Sequence, residues 1–219
     1  MCFYHNLVRR FGLAPVLVWL VLLLLLSGCV DSSAATLPTP PTATSGTWFD
    51  PPRALTNFEL ISHDGTPLAL HDLHNQLVLM TFGYTHCPDF CPATLANFQR
   101  IKDELGADAD EVAFVFVSVD GTRDTPEILK LYLERFDPDF IGLSGEEAVL
   151  ETIEDEYGLY YQKNEVSGSK VGYLVDHSVN SYLIDSEGRL RVSYSYGTPD
   201  RVLVADIRTL LAGDLQTGG

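Results

Sequence analysis

Two cysteines stand four positions apart in the stretch Val78-Leu79-Met80-Thr81-Phe82-Gly83-Tyr84-Thr85-His86-Cys87-Pro88-Asp89-Phe90-Cys91-Pro92. The residues before them form an apolar run of strand type that closes on Gly83, and Pro92 occupies the place of a first helical residue. The pattern predicts a buried strand that delivers two thiols to the mouth of a helix. A helix N-terminus offers free N–H groups and a partial positive charge, so thiolate is favoured over thiol there, and Cys91 is expected to gain most. Thiolate is the form that binds metal or attacks a disulfide. In a helical segment the spacing places both sulfurs on one side, about one turn apart, near enough to share an ion or to be oxidised to each other.

The elements around this stretch follow from hydrophobic periodicity. Phe58 to Ile61 and Thr66 to Leu70 are short strand-like runs about His63-Asp64-Gly65, a hairpin signal. Leu77 to Phe82 and Val112 to Val119 are continuous apolar runs, the pattern of central strands covered on both faces. Leu95, Phe98, Ile101 and Leu105 recur at helical spacing. Thr125-Pro126-Glu127 starts a second helix with a Thr cap and Pro at its first position. Glu146 to Tyr157 reads as a third helix. Ser181 to Ile184 and Leu190 to Tyr196 are strands about a turn, and Thr198-Pro199-Asp200 opens a last helix with Leu203, Ile207, Leu210 and Leu211 inward. The order hairpin, β, α, β, α, α, β, β, α predicts an α/β fold, a central mixed sheet flanked by helices with an N-terminal β-hairpin. A dithiol after the first central strand and a closing β–β–α make it thioredoxin-like.

Composition bounds the function. The 219 residues carry a formal charge of −16, and residues 1–28, with Arg9, Arg10 and no acid, leave −18 on the remainder. Nucleic acid is a poor partner for such a chain. Residues 1–29 combine the two arginines with an apolar run from Phe11 to Leu26, an export signal. Leu26-Ser27-Gly28-Cys29 resembles a bacterial lipobox, in which Cys29 is acylated after cleavage, and the alternative is a leader kept as a membrane helix. Either tethers the domain to the cell membrane on its extracytoplasmic, periplasmic side. Residues 30–50, rich in Ser, Thr, Pro and Ala, read as a flexible tether. Residues 51–219 then form one domain. With Cys2 and Cys29 in the leader, Cys87 and Cys91 are the pair of the folded part, and so short a loop would gain little from a disulfide, so the pair is chemical.

Further candidates surround the thiols. The loop Tyr173-Leu174-Val175-Asp176-His177-Ser178-Val179 precedes the strand at Ser181, and the topology brings that loop to the same sheet edge as the dithiol. An imidazole with two thiolates suits a soft ion, copper or zinc, and the lack of an obvious fourth ligand tilts the choice to copper. A single loop histidine is, on periodicity alone, more often hydrogen-bonded or solvated, so both readings stay open. Asp120 ends a central strand at that edge and could orient a ligand, lend copper an auxiliary oxygen, or close its own loop. Asp89 would raise both thiol pKa values by repulsion, opposing the helix terminus, and its expected use is contact with a partner or capping of the helix. His86 is expected to point away, His71 and His74 to face solvent, and Tyr194 and Tyr196 to pack in the sheet. Exchange enzymes of thioredoxin type usually carry C-x-x-C and a cis-proline before the facing strand. Here the spacing is C-x-x-x-C and no proline lies between Pro138 and Pro199.

Phe82 to Pro92, Val117-Ser118-Val119-Asp120 with Arg123-Asp124-Thr125-Pro126, and Asp176-His177-Ser178 leading into Tyr182-Leu183-Ile184-Asp185 together resemble the Sco/SenC family, in its order and near its separations. The resemblance implies a thioredoxin fold held at a membrane and a copper ion, Cu(I) with Cu(II) also considered, bound by Cys87, Cys91 and His177. It implies a metallochaperone, a transfer protein in place of an enzyme, whose partner is the copper domain of cytochrome c oxidase subunit II, where a dinuclear copper centre is assembled. The alternative function is a thiol–disulfide reductase in which Cys87 and Cys91 keep that subunit's cysteines reduced, and a third is a copper or redox sensor. Gly121 stands where the family commonly has Pro, a change expected to loosen its loop, and Asn75-Gln76 replaces the usual Gly-Lys, read as a surface matter.

Overall fold

The computed structural model describes residues 45–165 and 172–217. The leader, Cys29 and the tether up to residue 44 lie outside the described residues. The strands are β1 (Thr47–Ala54), β2 (Glu59–Ser62), β3 (Pro67–Ala69), β4 (Leu77–Gly83), β5 (Val112–Ser118), β6 (Ile141–Ser144), β7 (Tyr161–Glu165), β8 (Tyr173–His177), β9 (Ser181–Ile184) and β10 (Arg189–Tyr194). The helices are α1 (Phe90–Leu105), α2 (Pro126–Leu133), α3 (Glu147–Glu151), α4 (Glu154–Tyr157) and α5 (Asp200–Thr217).

Eight strands form one mixed sheet in the order β1-β10-β9-β4-β5-β6-β2-β3, and β7 and β8 form a separate two-stranded sheet. β4 and β5 run parallel at its centre, in register from Leu77 opposite Val112 to Gly83 opposite Ser118. Every residue of both strands is buried. Their unbroken apolar sequence has this cause: both faces are covered, so alternation would place polar groups in the core. Each fully buried Leu, Val or Phe contributes about 1.5–3 kcal/mol relative to exposure.

The helices use the faces that periodicity marks. Leu95, Phe98, Ile101 and Leu105 of α1 are buried, and α1 packs beside α5, whose Leu203, Val204, Ile207 and Leu210 turn inward. The Thr125 hydroxyl caps α2 by accepting from the Ile128 N–H, with Pro126 at the first helical position. The third predicted helix is divided into α3 and α4. At the break the Thr152 hydroxyl donates to the Val149 carbonyl at 2.6 Å, the local side-chain bond by which threonine competes with helix continuation.

Four strands escape a periodicity reading. β1, which includes residues 47–50 of the expected tether, pairs with β10 through a register shift and carries Pro51 and Pro52, features of an edge strand that limit further pairing. β6 has only four residues. β7, reading Tyr-Gln-Lys-Asn-Glu, buries none of them fully, and its partner β8 turns the expected loop Tyr173 to His177 into a strand.

The two departures from the family pattern also have structural meanings. Asn75 has φ 75°, the left-handed region where glycine is at ease and asparagine is the next choice, so the position is a backbone constraint. Gly121 does not loosen its loop: a Cβ there would lie 2.0 Å from the Gly145 carbonyl oxygen, so the glycine lets the loop close against the end of β6. We expect Gly121→Ala to destabilise the domain by about 1–3 kcal/mol through a forced backbone shift, read as a lowered midpoint in denaturant unfolding.

Candidate metal centre

β4 ends at Gly83, and the chain turns through Tyr84 and Thr85 to Cys87 before α1 begins. The helix starts at Phe90, two residues ahead of the expected Pro92, so Cys91 lies inside its first turn. Both thiols are free and buried. Gly83 makes the room: a Cβ there would come within 2.7 Å of the Cys91 sulfur and 2.6 Å of the Phe116 ring.

β8 brings His177 to the same place across 86 residues of chain. Its Nε2 lies 3.5 Å from Cys91 Sγ, while Nδ1 is 2.7 Å from the Ser178 carbonyl oxygen. A carbonyl can only accept, so Nδ1 carries a proton, and Nε2 faces the sulfurs, as a lone pair in the neutral ring and as an N–H donor in the charged one. The Tyr84 ring meets the imidazole edge-on at 5.7 Å between centroids. The donor atoms of Cys87, Cys91 and His177 all lie within 4.8 Å of one another. Three donors about a soft ion at ~2.0–2.3 Å would sit roughly 3.5–4 Å apart, so the group fits with small adjustments.

The electrostatics of the thiols reverse the order expected from helix position. Cys87 is the acidic one: the adjacent Cys91 side chain favours its thiolate most, and despite burial it is further favoured by His177 and by the backbone N–H groups of Cys91, 3.5 Å from Cys87 Sγ, and Asp89. Cys91 is held protonated, because it donates to Cys87, is buried, and faces the negative charges of Cys87 and Asp124. Nearness to the helix is outweighed by which sulfur receives the hydrogen bonds. Asp89 acts through its backbone N–H and not through repulsion, and its side chain makes no capping bond.

The remaining candidates separate cleanly. Both Asp120 oxygens are engaged, one accepting from Tyr173 OH at 2.7 Å and the other from Arg123 Nε, and Asp120 lies outside the Cys87, Cys91 and His177 group. His86 is 43% exposed and turns to the Thr85 hydroxyl at 3.1 Å. His71 and His74 are exposed, with ring centroids 6.4 Å apart. Tyr194 packs within the sheet. Tyr196 lies beyond the end of β10, exposed, with its ring edge-on to exposed Phe90 at 5.0 Å. An open cavity of about 360 Å³ between Cys87, Pro88 and Phe90 on one side and Leu174, His177 and Val179 on the other leads to the thiols.

Asp124, quoted in the sequence only as part of a motif, is fully buried and accepts from the Thr85 N–H at 2.9 Å, the Thr85 hydroxyl at 2.6 Å and the Ser118 hydroxyl at 2.6 Å. It pins the turn before Cys87 to the end of β5. A buried carboxylate leaves no periodic trace, so only its place in the motif could have flagged it.

A thioredoxin-like sheet whose edge carries two buried thiols and an imidazole defines a dithiol–imidazole domain. The comparisons agree with that class. A family model described as SCO1/SenC matches residues 50–212, well over half of the chain, and the protein belongs to that family. It is 38% identical over 132 residues to the SCO2-like protein of Rickettsia prowazekii (strain Madrid E), a match covering 60% of this chain and 64% of that protein, just under two thirds of its length. The structure of ScoI from Bradyrhizobium japonicum with copper bound superposes with a TM-score of 0.65 at 34% identity, over 72% of this chain and 99% of that one. A SCO1/SenC family lipoprotein from Bacillus anthracis str. Ames superposes with a TM-score of 0.64 at 26% identity, over 73% and 95%.

The inverted thiol order has a direct readout. Alkylation of Cys87 by iodoacetamide should stay nearly level as the pH falls from 8 to 6, because its thiolate persists, whereas an ordinary thiol slows about tenfold per unit below its pKa of ~8.5. Cys91→Ala removes the main donor and should restore much of that slope, measured by mass spectrometry of the labelled peptide.

Proposed function

We propose that this protein is a membrane-tethered, extracytoplasmic copper-binding metallochaperone that assists assembly of the dinuclear copper centre of cytochrome c oxidase, with Cys87, Cys91 and His177 as the ligands. The observation that carries the reading is the convergence of two thiols and an imidazole nitrogen from separate elements onto one point. Copper in the related ScoI of B. japonicum supports it. Thiolate and imidazole form a soft donor set, and three ligands leave the metal open to a fourth from an acceptor.

Cu(I) is the cargo, held by Cys87 thiolate, His177 Nε2 and, once deprotonated, Cys91. Burial of the sulfurs excludes water and so favours retention. The cavity beside Cys87 and His177 gives an incoming thiol or imidazole access, and transfer proceeds by stepwise ligand exchange into the acceptor's empty site. The tether is acylated Cys29 or a retained leader helix. No helix among the described residues is long and apolar enough to cross a membrane, and the family lipoprotein of B. anthracis favours the acylated form.

The acidic Cys87 favours a second reading, reduction of the acceptor's cysteines. The Cys87 thiolate would attack a disulfide of the acceptor, expelling one of its sulfurs as thiolate. Cys91, losing its proton, would then attack Cys87 and release the second. The protein dithiol ends oxidised and the acceptor reduced by two electrons, so a membrane-side thiol reductant must restore the pair.

Anaerobic Cu(I) titration against a chelating competitor separates the readings. His177→Ala should weaken copper retention by roughly 100-fold or more, beyond the 10–100-fold typical of an outer-shell change, while its dithiol stays redox-active. Normal retention in that variant defeats the ligand assignment. Mass spectrometry of the mature N-terminus should find a diacylglyceryl-modified Cys29. An intact leader would assign the retained helix as the tether.

A further inference from the structure

The two halves of the centre are held very differently. Cys87 and Cys91 sit between the central strands and the first turn of α1, with the turn before them pinned by Asp124. His177 ends a strand that, among the described residues, pairs only with β7, outside the main sheet. An isolated two-stranded sheet is marginal in water, so the position of the imidazole depends on what anchors β8.

At its far end β8 is gripped by the loop that follows β5. Tyr173 OH donates to Asp120 Oδ1 at 2.7 Å, and Arg123 Nη1 donates to the Tyr173 carbonyl at 2.9 Å. The Arg123 guanidinium lies over the Tyr173 ring, 3.6 Å from its centroid, and reaches Asp120 through Nε. The carboxylate is itself fixed, since the Asp120 N–H donates to the Ser118 hydroxyl at 3.0 Å, and that hydroxyl donates to Asp124. A continuous polar path therefore runs from Thr85, two residues before Cys87, through Asp124, Ser118 and Asp120 to Tyr173, four residues before His177.

We propose that Tyr173 and Arg123 are positioning residues, a latch on Asp120 that seats the His177-bearing strand over the thiols and so sets how tightly the centre holds its metal. Neither residue belongs to the Cys87, Cys91 and His177 donor group. The latch rests on the copper reading for its consequence but not for its existence, because it orders β8 whether or not metal is present. Its strength is that of a hydrogen bond to a buried charged acceptor joined to a stacked cation.

The test uses the full-length chain and three variants, Tyr173→Phe, His177→Ala and the double change, with Cu(I) as the probe against a chelating competitor under anaerobic conditions. Tyr173→Phe should weaken Cu(I) retention about tenfold, as expected for a lost bond to a charged acceptor. It should also speed amide exchange at Leu174 to Asp176 in the metal-free protein while leaving the Cys87 alkylation profile in place. In the His177→Ala background the same change should alter retention less than about twofold, because the latch acts through the imidazole. Arg123→Lys, which keeps the charge and loses the flat stacking surface, should act in the same direction. Equal losses in both backgrounds, or unchanged retention in Tyr173→Phe, overturn the latch. Should the parent chain bind no copper, the functional reading fails by itself. Amide exchange then decides the latch: faster in Tyr173→Phe supports it, and unchanged overturns it.

Discussion

The structure depends on one contact, the approach of His177 Nε2 to the Cys91 sulfur. It requires a ring with a defined tautomer, which the Ser178 carbonyl enforces, and a buried thiol, which Gly83 accommodates. It also requires two parts of the chain, 86 residues apart, to end at the same sheet edge. Parallel pairing of β4 with β5 and antiparallel pairing of β4 with β9 satisfy the last demand, because the thiol turn leaves the end of β4 that faces the entry to β9. Without that sheet order the three donors would be unrelated groups.

Polar burial around the centre follows from the same requirement. Asp120 and Asp124 are both fully buried, and each would destabilise the fold by several kcal/mol if its oxygens lacked donors. Donors come from the segments that need ordering: the turn before the thiols, the end of β5 and the start of β8. The carboxylates thus act as structural nodes, and their desolvation cost is offset by the loops they join. In the same arrangement both Asp120 oxygens accept hydrogen bonds, from Tyr173 and from Arg123.

Copper transfer and thiol exchange draw on one set of properties. A sulfur that is ionised and reachable from the cavity can hold a soft cation or open a disulfide, and a neighbouring protonated sulfur can complete either event. What distinguishes the two uses is the imidazole, needed to complete a ligand set and dispensable for electron transfer between sulfurs. The tightness with which β8 is held therefore bears on metal chemistry far more than on redox chemistry.

Much was legible in the residue pattern. The continuous runs of β4 and β5, the apolar faces of α1 and α5, the Thr125 cap and the C-x-x-x-C turn are all local or periodic features, and local physics specifies them. Cys87, Cys91 and His177 could be named, the last through its motif and its place before β9. Tertiary structure decided the rest. β7 and β8 form because their backbones pair and Tyr173 of β8 is held by Asp120 and Arg123; β7 is too polar, and the apolar part of β8 too short, to announce a strand. Cys87 and not Cys91 is the acidic thiol because ionisation depends on which sulfur receives the hydrogen bonds, a matter of three-dimensional direction. Gly121 tightens its loop because the Gly145 carbonyl happens to lie beside it. Sequence spacing carries periodicity and chemical type, whereas the direction of a hydrogen bond and the neighbour across a gap exist only once the chain has folded.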